Sequence, residues 1–287
     1  MTDSKNPGKS AKLTRRATFG LAAGAATIPV VAATSVTPAS ARPLEDVLSS
    51  ETLRVGINPT LVPFGVFNDR NQIDGFDYDI AVELARLMNV ELEVVQVGSP
   101  DRIPFLQADR IDIVLGAITR TVARALVIDY TIPLHTQTVA VLTKEETAVP
   151  IIALGDLNNP DVRLVQVRGT IGVPWIEANA PEAQLTLLDN YPDTFRAMQQ
   201  GRADAMVDVI ESVVIPMQDV AGVEWRILDE TISNTWVGVG VQKGNHTLRD
   251  FLNIALFEMH QNGFVDATWE KWFGVPMQTP VPLNPIF

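Results

Sequence analysis

An apolar run with the character of a β-strand, IDIVLGA over residues 111–117, is followed directly by threonines and arginines. These residues are Thr119, Arg120, Thr121 and Arg124. They stand in an acidic chain, in which 22 basic residues face 34 acidic ones and the formal net charge is −12. A guanidinium presents a planar pair of N–H donors that matches the two oxygens of a carboxylate. The two arginines are therefore candidate receptors for a carboxylate ligand.

Complementary groups follow strands elsewhere in the chain. The strand RLVQV (163–167) leads into Gly169-Thr170-Ile171-Gly172, which opens a helix, and the strand ADAMV ends at Asp208. Backbone amides at the start of a helix favour an anion, and Asp208 offers a negative partner for an ammonium group. Phe64, in the loop after the first strand, supplies an apolar wall. Together these groups predict a receptor for a zwitterionic α-amino acid.

Each of these residues also has a purely structural interpretation. Arg124 can pair with Asp129 on the surface, and Thr170 can be the N-cap of the helix that follows it. Asp208 can cap the next helix in the same way, and Phe64 can belong to the hydrophobic core. The functional interpretation depends on the position of all four after strands and on their complementary charges.

The elements that must position these groups alternate between strands and helices. Apolar periodicity predicts strands at 52–57, 90–97, 111–117, 138–143, 163–167, 184–188, 203–209, 223–228 and 235–241, and helices at 77–88, 103–108, 172–180, 191–200, 210–220 and 246–262. This alternation predicts α/β architecture, with mainly parallel sheets flanked by helices. Ligands of such open sheets bind beyond the carboxyl ends of the strands, where the candidate residues stand.

The pattern occurs twice, which predicts two lobes of about 100 residues each. The apolar pattern stops at 144–147, and a second crossing near 235–243 returns the last helices to the first lobe. We therefore expect residues 42–143 and 238–287 to form lobe 1 and residues 144–237 to form lobe 2, joined by two hinge crossings.

Several longer motifs, in this order, resemble a known family across residues 45–275. They are VPF (62–64), GFDYDIAVELA (75–85), DRIPFLQADRIDIV (101–114), GAITRTVAR (116–124), VRGT (167–170) and GRADAMVD (201–208). The chain resembles the periplasmic solute-binding proteins of family 3, which bind polar amino acids and deliver them to the membrane permease of an ABC importer. The resemblance implies a two-lobed periplasmic binding protein fold that closes on its ligand.

The resemblance also implies a role for individual residues. Arg124 would clamp the ligand α-carboxylate, helped by Thr119 and by the amides near Thr170 and Gly169. Asp208 would bind the α-ammonium, and Ala117 would offer its backbone carbonyl. Arg120 occupies a variable position and is expected to face solvent.

The side-chain pocket departs from several members of the family. Ile171 replaces the second threonine that many members carry after Gly-Thr, which removes one hydroxyl contact. Asn58 and Leu61 stand where binders of basic amino acids use an acid and an aromatic. Ser99 and Arg102 resemble the loop with which glutamate and aspartate binders hold the side-chain carboxylate, although Arg102 can alternatively pair with Asp101 or Asp109. The expected ligand has a polar or acidic side chain.

The first 41 residues predict an export signal instead of a part of the fold. Five basic residues precede an apolar stretch and an Ala39-Ser40-Ala41 cleavage site, and Arg15-Arg16 resembles a twin-arginine motif. Cleavage leaves 17 basic and 33 acidic residues, a net charge of −16. That charge argues against nucleic acid as a partner, and the absence of cysteine excludes a lipid-anchored cysteine. We therefore expect a periplasmic protein.

Catalytic and cofactor motifs are missing from the sequence. The three histidines, His135, His246 and His260, have no metal-site spacing, and Gly238-Val239-Gly240 lies within a strand and not in a dinucleotide loop. We therefore expect a binding protein without cofactor or metal. One enzyme alternative is a periplasmic arogenate or prephenate (cyclohexadienyl) dehydratase, which resembles the same family. It needs a general acid in the cleft, for which Glu177 and Glu211 are the candidates.

Overall fold

The computed structural model describes residues 41–282. Residues 1–40, which carry nearly all of the predicted export signal, lie outside the described part of the chain. Within it, the first lobe begins with the elements α1 (Leu44–Ser49), β1 (Thr52–Ile57), β2 (Val66–Phe67), β3 (Ile73–Asp74), α2 (Phe76–Met88), β4 (Glu91–Gln96), a 3-10 turn (Ser99–Asp101), α3 (Arg102–Gln107), β5 (Ile113–Val114) and α4 (Val122–Ala125).

A long strand, β6 (Ile128–Lys144), leaves the first lobe and enters the second. The second lobe continues with a 3-10 turn (Leu154–Leu157), β7 (Arg163–Val167), α5 (Gly172–Asn179), β8 (Gln184–Leu188), α6 (Tyr191–Gln199), β9 (Ala205–Val209), α7 (Ile210–Asp219) and β10 (Trp225–Ile227). The return strand β11 (Ser233–Gln242) is followed by α8 (His246–Gln261) and α9 (Phe264–Phe273).

Two groups of parallel strands carry the loops that matter for function. In the first lobe β1 pairs in parallel with β4 and β5, and in the second lobe β7 pairs in parallel with β8 and β9. The strands β6 and β11 run antiparallel to each other between the two groups and join them in the order β4-β1-β5-β11-β6-β9-β7-β8, with β10 on β6. The carboxyl ends of each parallel group therefore meet at one edge.

Helix α2 illustrates how local sequence fixes an element. Its apolar positions recur at helical spacing, so that Ile80, Leu84 and Met88 are buried on one face. Asp77 lies in the first turn, where the helix dipole favours a negative charge. The helix ends at Asn89, which adopts the left-handed conformation with a φ of 53° and donates its N–H to the last turn.

The strand predicted over 111–117 is much shorter in the structure, because the backbone leaves the sheet before its end. Only Ile113 and Val114 pair with neighbouring strands. Gly116 and Ala117 follow with φ values of +82° and +52°, which no continuous strand can contain. The prediction was also wrong about β6, which begins ten residues before the predicted strand at 138, and it did not include α1, α4 or α9.

The aromatic core of the first lobe contains Phe64, and this corrects its predicted role as a ligand wall. Phe64 is fully buried and its ring lies 5.0 Å from His135 and 5.1 Å from Phe273, measured between ring centroids. Its edge also meets Phe76 and Trp269. The loop that carries Phe64 turns inward under α9, a helix that was not predicted from the sequence.

His135 is neutral in this aromatic core, which predicts a loss of stability in acid. Burial lowers its pKa to about 3, and no described residue bonds its Nε2. In the unfolded chain the same histidine takes up a proton near pH 6.5. Protonation therefore favours the unfolded state once the pH is below 6.5. The free energy of unfolding should fall between pH 6.5 and pH 3 by up to about 1.4 kcal/mol per pH unit.

We therefore expect His135→Leu to flatten the decline in the free energy of unfolding between pH 6.5 and pH 4. Urea denaturation of both proteins across this range measures the difference, and all other titrating groups are common to the two. Parallel curves would contradict the assignment of this acid sensitivity to His135.

Candidate ligand-binding site

A narrow cavity lies where the carboxyl ends of the two parallel strand groups face each other, with a volume of only about 10 Å³. The first lobe contributes residues that follow β1, β4 and β5, and the second lobe contributes residues that follow β7 and β8 together with the last two residues of β9. The wall consists of Leu61, Arg102, Gly116, Ala117, Thr119, Arg124, Thr170, Ile171, Tyr191, Asp208 and Val209. The structure thus brings most of the predicted site residues together at one place.

Arg124 reaches across the cavity from one lobe to the other. It lies on α4, a single helical turn whose N-cap, Thr121, accepts the Arg124 N–H at 3.2 Å. Guanidinium Nη1 donates to the Thr119 carbonyl at 2.9 Å, and Nη2 donates to the Gly169 carbonyl at 2.8 Å. Burial lowers the pKa of Arg124, although a guanidinium stays charged in proteins.

Arg102 is a second buried cation in the wall, held by three backbone carbonyls. Its Nε donates to Ser99 at 3.0 Å, Nη1 to Gly116, and Nη2 to Gly169 at 2.9 Å. Asn58 Nδ2 donates to the Ser99 hydroxyl at 3.1 Å, so these two predicted residues lie behind Arg102 and not in the cavity wall. Burial lowers the pKa of Arg102 to about 10, which leaves it protonated at neutral pH.

The backbone is strained at the turn formed by Gly116 and Ala117. Ala117 has a φ of +52°, a conformation that residues other than glycine and asparagine rarely adopt. The turn is fixed by Asp77, whose Oδ2 accepts the Gly116 N–H at 2.7 Å. Burial raises the pKa of Asp77 to about 7. This strained turn places Ala117 and Thr119 in the cavity wall.

In the second lobe, the loop after β7 differs from the prediction, which expected the backbone amides near Thr170 to face the ligand carboxylate. The Thr170 N–H and hydroxyl both donate to the Val167 carbonyl, at 3.3 and 2.8 Å, so this amide has a partner within its own turn. Gly169, with a φ of +74°, presents its carbonyl to Arg102 and Arg124. Helix α5 begins at Gly172 after Ile171, so Thr170 is not its N-cap.

Asp208 is the buried anion of the site. Its Oδ1 accepts the Val209 N–H at 2.8 Å, and its Oδ2 accepts Gln166 Nε2 at 3.0 Å. The nearby Tyr191 hydroxyl favours its ionised form. Burial raises the pKa of Asp208 to about 6, against the opposing influence of these donors and of Arg102. Of the backbone N–H groups at the start of α7, the Asp208 side chain accepts only that of Val209, so it does not cap this helix.

Residues 53–275 match the family model of the bacterial extracellular solute-binding proteins, family 3. The chain belongs to this family. Family membership confirms the resemblance inferred from the sequence motifs and the two-lobed fold that it implied.

Named relatives of this family 3 chain bind amino acids. The chain is 28% identical over 267 residues to the L-cystine-binding protein TcyJ of Escherichia coli (strain K12), covering 93% of this chain and 98% of that protein. It is 24% identical over 228 residues to the ABC transporter arginine-binding protein 1 of the same strain, covering 78% and 92%. These names agree with the expectation that the chain is a binding protein and not an enzyme.

A solved structure with the same fold is that of the ancestral amino acid-binding protein AncCDT-1, a precursor of cyclohexadienyl dehydratase. It aligns with a TM-score of 0.74 and 30% sequence identity, over 80% of this chain and 99% of that chain.

The structural alternatives for Arg124 and Arg102 did not occur. Asp129 pairs with Lys243 at 2.7 Å and not with Arg124. Asp109 pairs with Arg54 at 2.9 Å, and Asp101 is not among the partners of Arg102. The guanidinium groups of Arg102 and Arg124 therefore both remain at the cavity.

The two glutamates that are the candidate general acids of a dehydratase do not lie in the cavity wall. Glu177 is exposed on α5. Glu211 binds the strand β6, where both of its carboxylate oxygens accept the Thr138 N–H at 3.2 Å, and burial raises its pKa to about 7. Neither residue lines the cavity.

Among residues 41–282, no group of three or more histidine, aspartate or glutamate side chains forms a metal site. No helix in this same range is long and apolar enough to cross a membrane.

Tyr191 is the main site residue that the sequence reasoning missed. It is the first residue of α6, directly after β8. The rule that ligand contacts follow the ends of parallel strands applies to β8 as it does to β7 and β9. Applied to the stretch Asp189-Asn190-Tyr191, the rule would have found it.

Gly172 permits close packing beneath the site, which predicts a strong effect of a single methyl group. A Cβ at this position would lie 1.9 Å from the Val207 carbonyl oxygen and 2.6 Å from Gln166 Nε2. We expect Gly172→Ala to lower the free energy of unfolding by about 1–3 kcal/mol and to weaken ligand binding, because both contacts adjoin Asp208. The matched control is Gly155→Ala, where a Cβ meets nothing within 4 Å. Equal stability of the two variants in urea would contradict this packing argument.

Proposed function

We propose that the chain is the periplasmic substrate-binding component of an amino acid ABC importer, and that its ligand has a polar or acidic side chain. The observation that carries the proposal is the convergence of a buried arginine, Arg102, a half-buried arginine, Arg124, and a buried carboxylate, Asp208, on a single cavity between the lobes. Buried charges require partners of opposite sign. A zwitterionic amino acid supplies both signs within a few ångströms.

In this proposal Arg124 binds the ligand α-carboxylate, and the Thr119 hydroxyl assists. The Thr119 hydroxyl has only a long contact of 3.4 Å, to Gln137 Oε1, so it is available to a ligand oxygen. Asp208 binds the α-ammonium from the second lobe, and the Ala117 carbonyl accepts a further ammonium proton.

The charge of the wall favours an acidic ligand among the polar ones. Arg102 and Arg124 contribute two positive charges and Asp208 one negative charge, while Asp77 lies behind Gly116 and not in the wall. A zwitterion leaves this net positive charge uncompensated, whereas a dicarboxylic amino acid neutralises it. The side-chain carboxylate would then meet Arg102, with Ser99 and Asn58 supporting it. A cationic side chain would face Arg102 without an acidic partner.

The mechanism that we propose is closure of the two lobes on the ligand. Arg102 and Arg124 of the first lobe both donate to the Gly169 carbonyl of the second, so these donors bridge the lobes. A ligand that contacts both lobes stabilises the closed form and shifts the equilibrium between open and closed conformations. The importer's permease would recognise the closed form.

A thermal-shift screen of the twenty amino acids and L-cystine tests this proposal, because a ligand that binds only the folded protein raises its melting temperature. We expect the largest shifts from glutamate, aspartate or a neutral polar amino acid, and none from arginine or lysine. A shift confined to the basic amino acids would contradict the side-chain assignment. No shift with any compound, confirmed by calorimetry, would contradict amino acid binding itself.

A further inference from the structure

Tyr191 lines the cavity, but neither the sequence motifs nor the roles proposed above account for it. Its backbone is fixed because Asn190 caps α6, with Asn190 Oδ1 accepting the Asp193 N–H at 2.9 Å. The side chain is 4% exposed. Tyr191 is thus a rigidly mounted aromatic residue in the wall, close to the buried anion of the site.

The Tyr191 side chain lies beside Asp208 in the cavity wall. Burial and the nearby Asp208 charge raise the pKa of Tyr191 well above its usual value, so the phenol keeps its proton. A protonated phenol beside a carboxylate can donate to it. Tyr191 is therefore a protonated donor next to Asp208 in the cavity wall.

Gln166 approaches the same carboxylate from beneath. Its Nε2 donates to Asp208 Oδ2 at 3.0 Å and to the Thr170 hydroxyl at 2.6 Å. The side chain is fully buried, and no described residue bonds its Oε1. The Gln166 side-chain nitrogen thus donates to two residues of the cavity wall. These two bonds set the orientation of the amide.

Asp208 thus accepts hydrogen bonds from Val209 and Gln166, and the protonated Tyr191 hydroxyl lies beside it as a further donor. A carboxylate has about four lone-pair positions for hydrogen bonds. These donors hold the carboxylate in one orientation and leave an acceptor position. Because Asp208 itself lines the cavity, that position is available to a ligand N–H.

We propose that Tyr191 and Gln166 are positioning residues for the ligand ammonium group, which act by holding Asp208 ionised and in one orientation. This inference rests on the proposed function, since it requires an amino acid ligand. The charged or titratable groups that act on Asp208 are Tyr191 from its own lobe and Arg102 and Arg124 from the first lobe. The two donors complement these cations, because they favour the charged form of the carboxylate without adding positive charge.

The test uses Tyr191→Phe, which removes only the hydroxyl, and Gln166→Met, which removes only the amide. Tyr78→Phe is the matched control, because Tyr78 lies on α2 away from the cavity. Calorimetry measures the affinity of each protein, at pH values from 5 to 8, for the amino acid that gives the largest thermal shift with the wild-type protein.

We expect each site variant to bind roughly tenfold more weakly at pH 7, since each loses a donor that faces a charged group. The pH at which affinity falls to half should move upward, because a carboxylate with fewer donors takes up its proton at higher pH. The control should match the wild type in both respects. Comparison of the two independent variants keeps the result interpretable if one of them folds poorly.

Wild-type affinity and an unchanged pH midpoint in both variants would overturn the inference alone. An equal loss of affinity at every pH, without a shift of the midpoint, would also overturn it, since that result indicates a general structural role. Failure of the wild-type protein to bind any amino acid would instead overturn the proposed function, and the inference with it.

Discussion

Replacement of Arg124 by alanine should weaken amino acid binding by about 30-fold or more. Removing one member of a buried, hydrogen-bonded charge pair costs about 2–5 kcal/mol, partly because the other charge stays buried without its partner. The variant also loses the bonds to Thr119 and Gly169, of which the second links the two lobes. Calorimetric titration with the preferred amino acid measures the effect.

The control for this prediction lies four residues earlier in the same loop. Arg120 is exposed and does not line the cavity. Arg120→Ala should therefore bind normally, with the same change of charge. Arg124→Lys should recover only part of the affinity, because an ammonium cannot reproduce the two parallel donors of a guanidinium. Normal binding by Arg124→Ala would contradict the assignment of Arg124 as the residue that binds the ligand α-carboxylate.

Asp208→Asn should have an effect of similar size, with a distinctive dependence on pH. Burial raises the pKa of Asp208 to about 6 in the ligand-free site, and a bound ammonium favours the ionised form. Affinity should therefore be maximal above pH 6 and fall by up to tenfold for each pH unit below it. The variant cannot titrate at this position, so its weaker binding should lack the fall in affinity that protonation of Asp208 causes.

Asp77 and Glu211 also titrate near neutral pH. A comparison of Asp208→Asn with the wild-type protein separates their effects on affinity from that of Asp208. Burial raises the pKa of both Asp77 and Glu211 to about 7. Both are retained in Asp208→Asn, so any dependence on pH that they cause persists in the variant. A pH profile of affinity that is identical for variant and wild type would show that Asp208 is not the ammonium receptor.

The positions of the charged site residues could be predicted because strand ends are visible in the sequence. Apolar runs mark the strands, and parallel strands bring their carboxyl ends together, so Arg124 and Asp208 could be assigned to one site before any contact was known. The same reasoning placed Thr119, Arg102 and Leu61, and the family resemblance added Ala117; all four line the cavity.

Side-chain direction could not be predicted in the same way. Phe64 follows a strand, but its ring turns into the core because His135, Trp269 and Phe273 close around it from distant parts of the chain. The early end of the strand at Val114 has a similar cause. It depends on the bond from Asp77 to the Gly116 N–H, and that partner lies 39 positions earlier in the sequence.

The central claim is that a single ligand satisfies Arg124 with its α-carboxylate and Asp208 with its α-ammonium. Calorimetry with three ligands tests it most directly: the preferred amino acid, its α-carboxamide, and its analogue without the amino group. We predict strong binding of the amino acid and a loss of about 30-fold or more for each analogue, because each leaves one buried charge unpaired. Binding of either analogue with the affinity of the amino acid would contradict the claim.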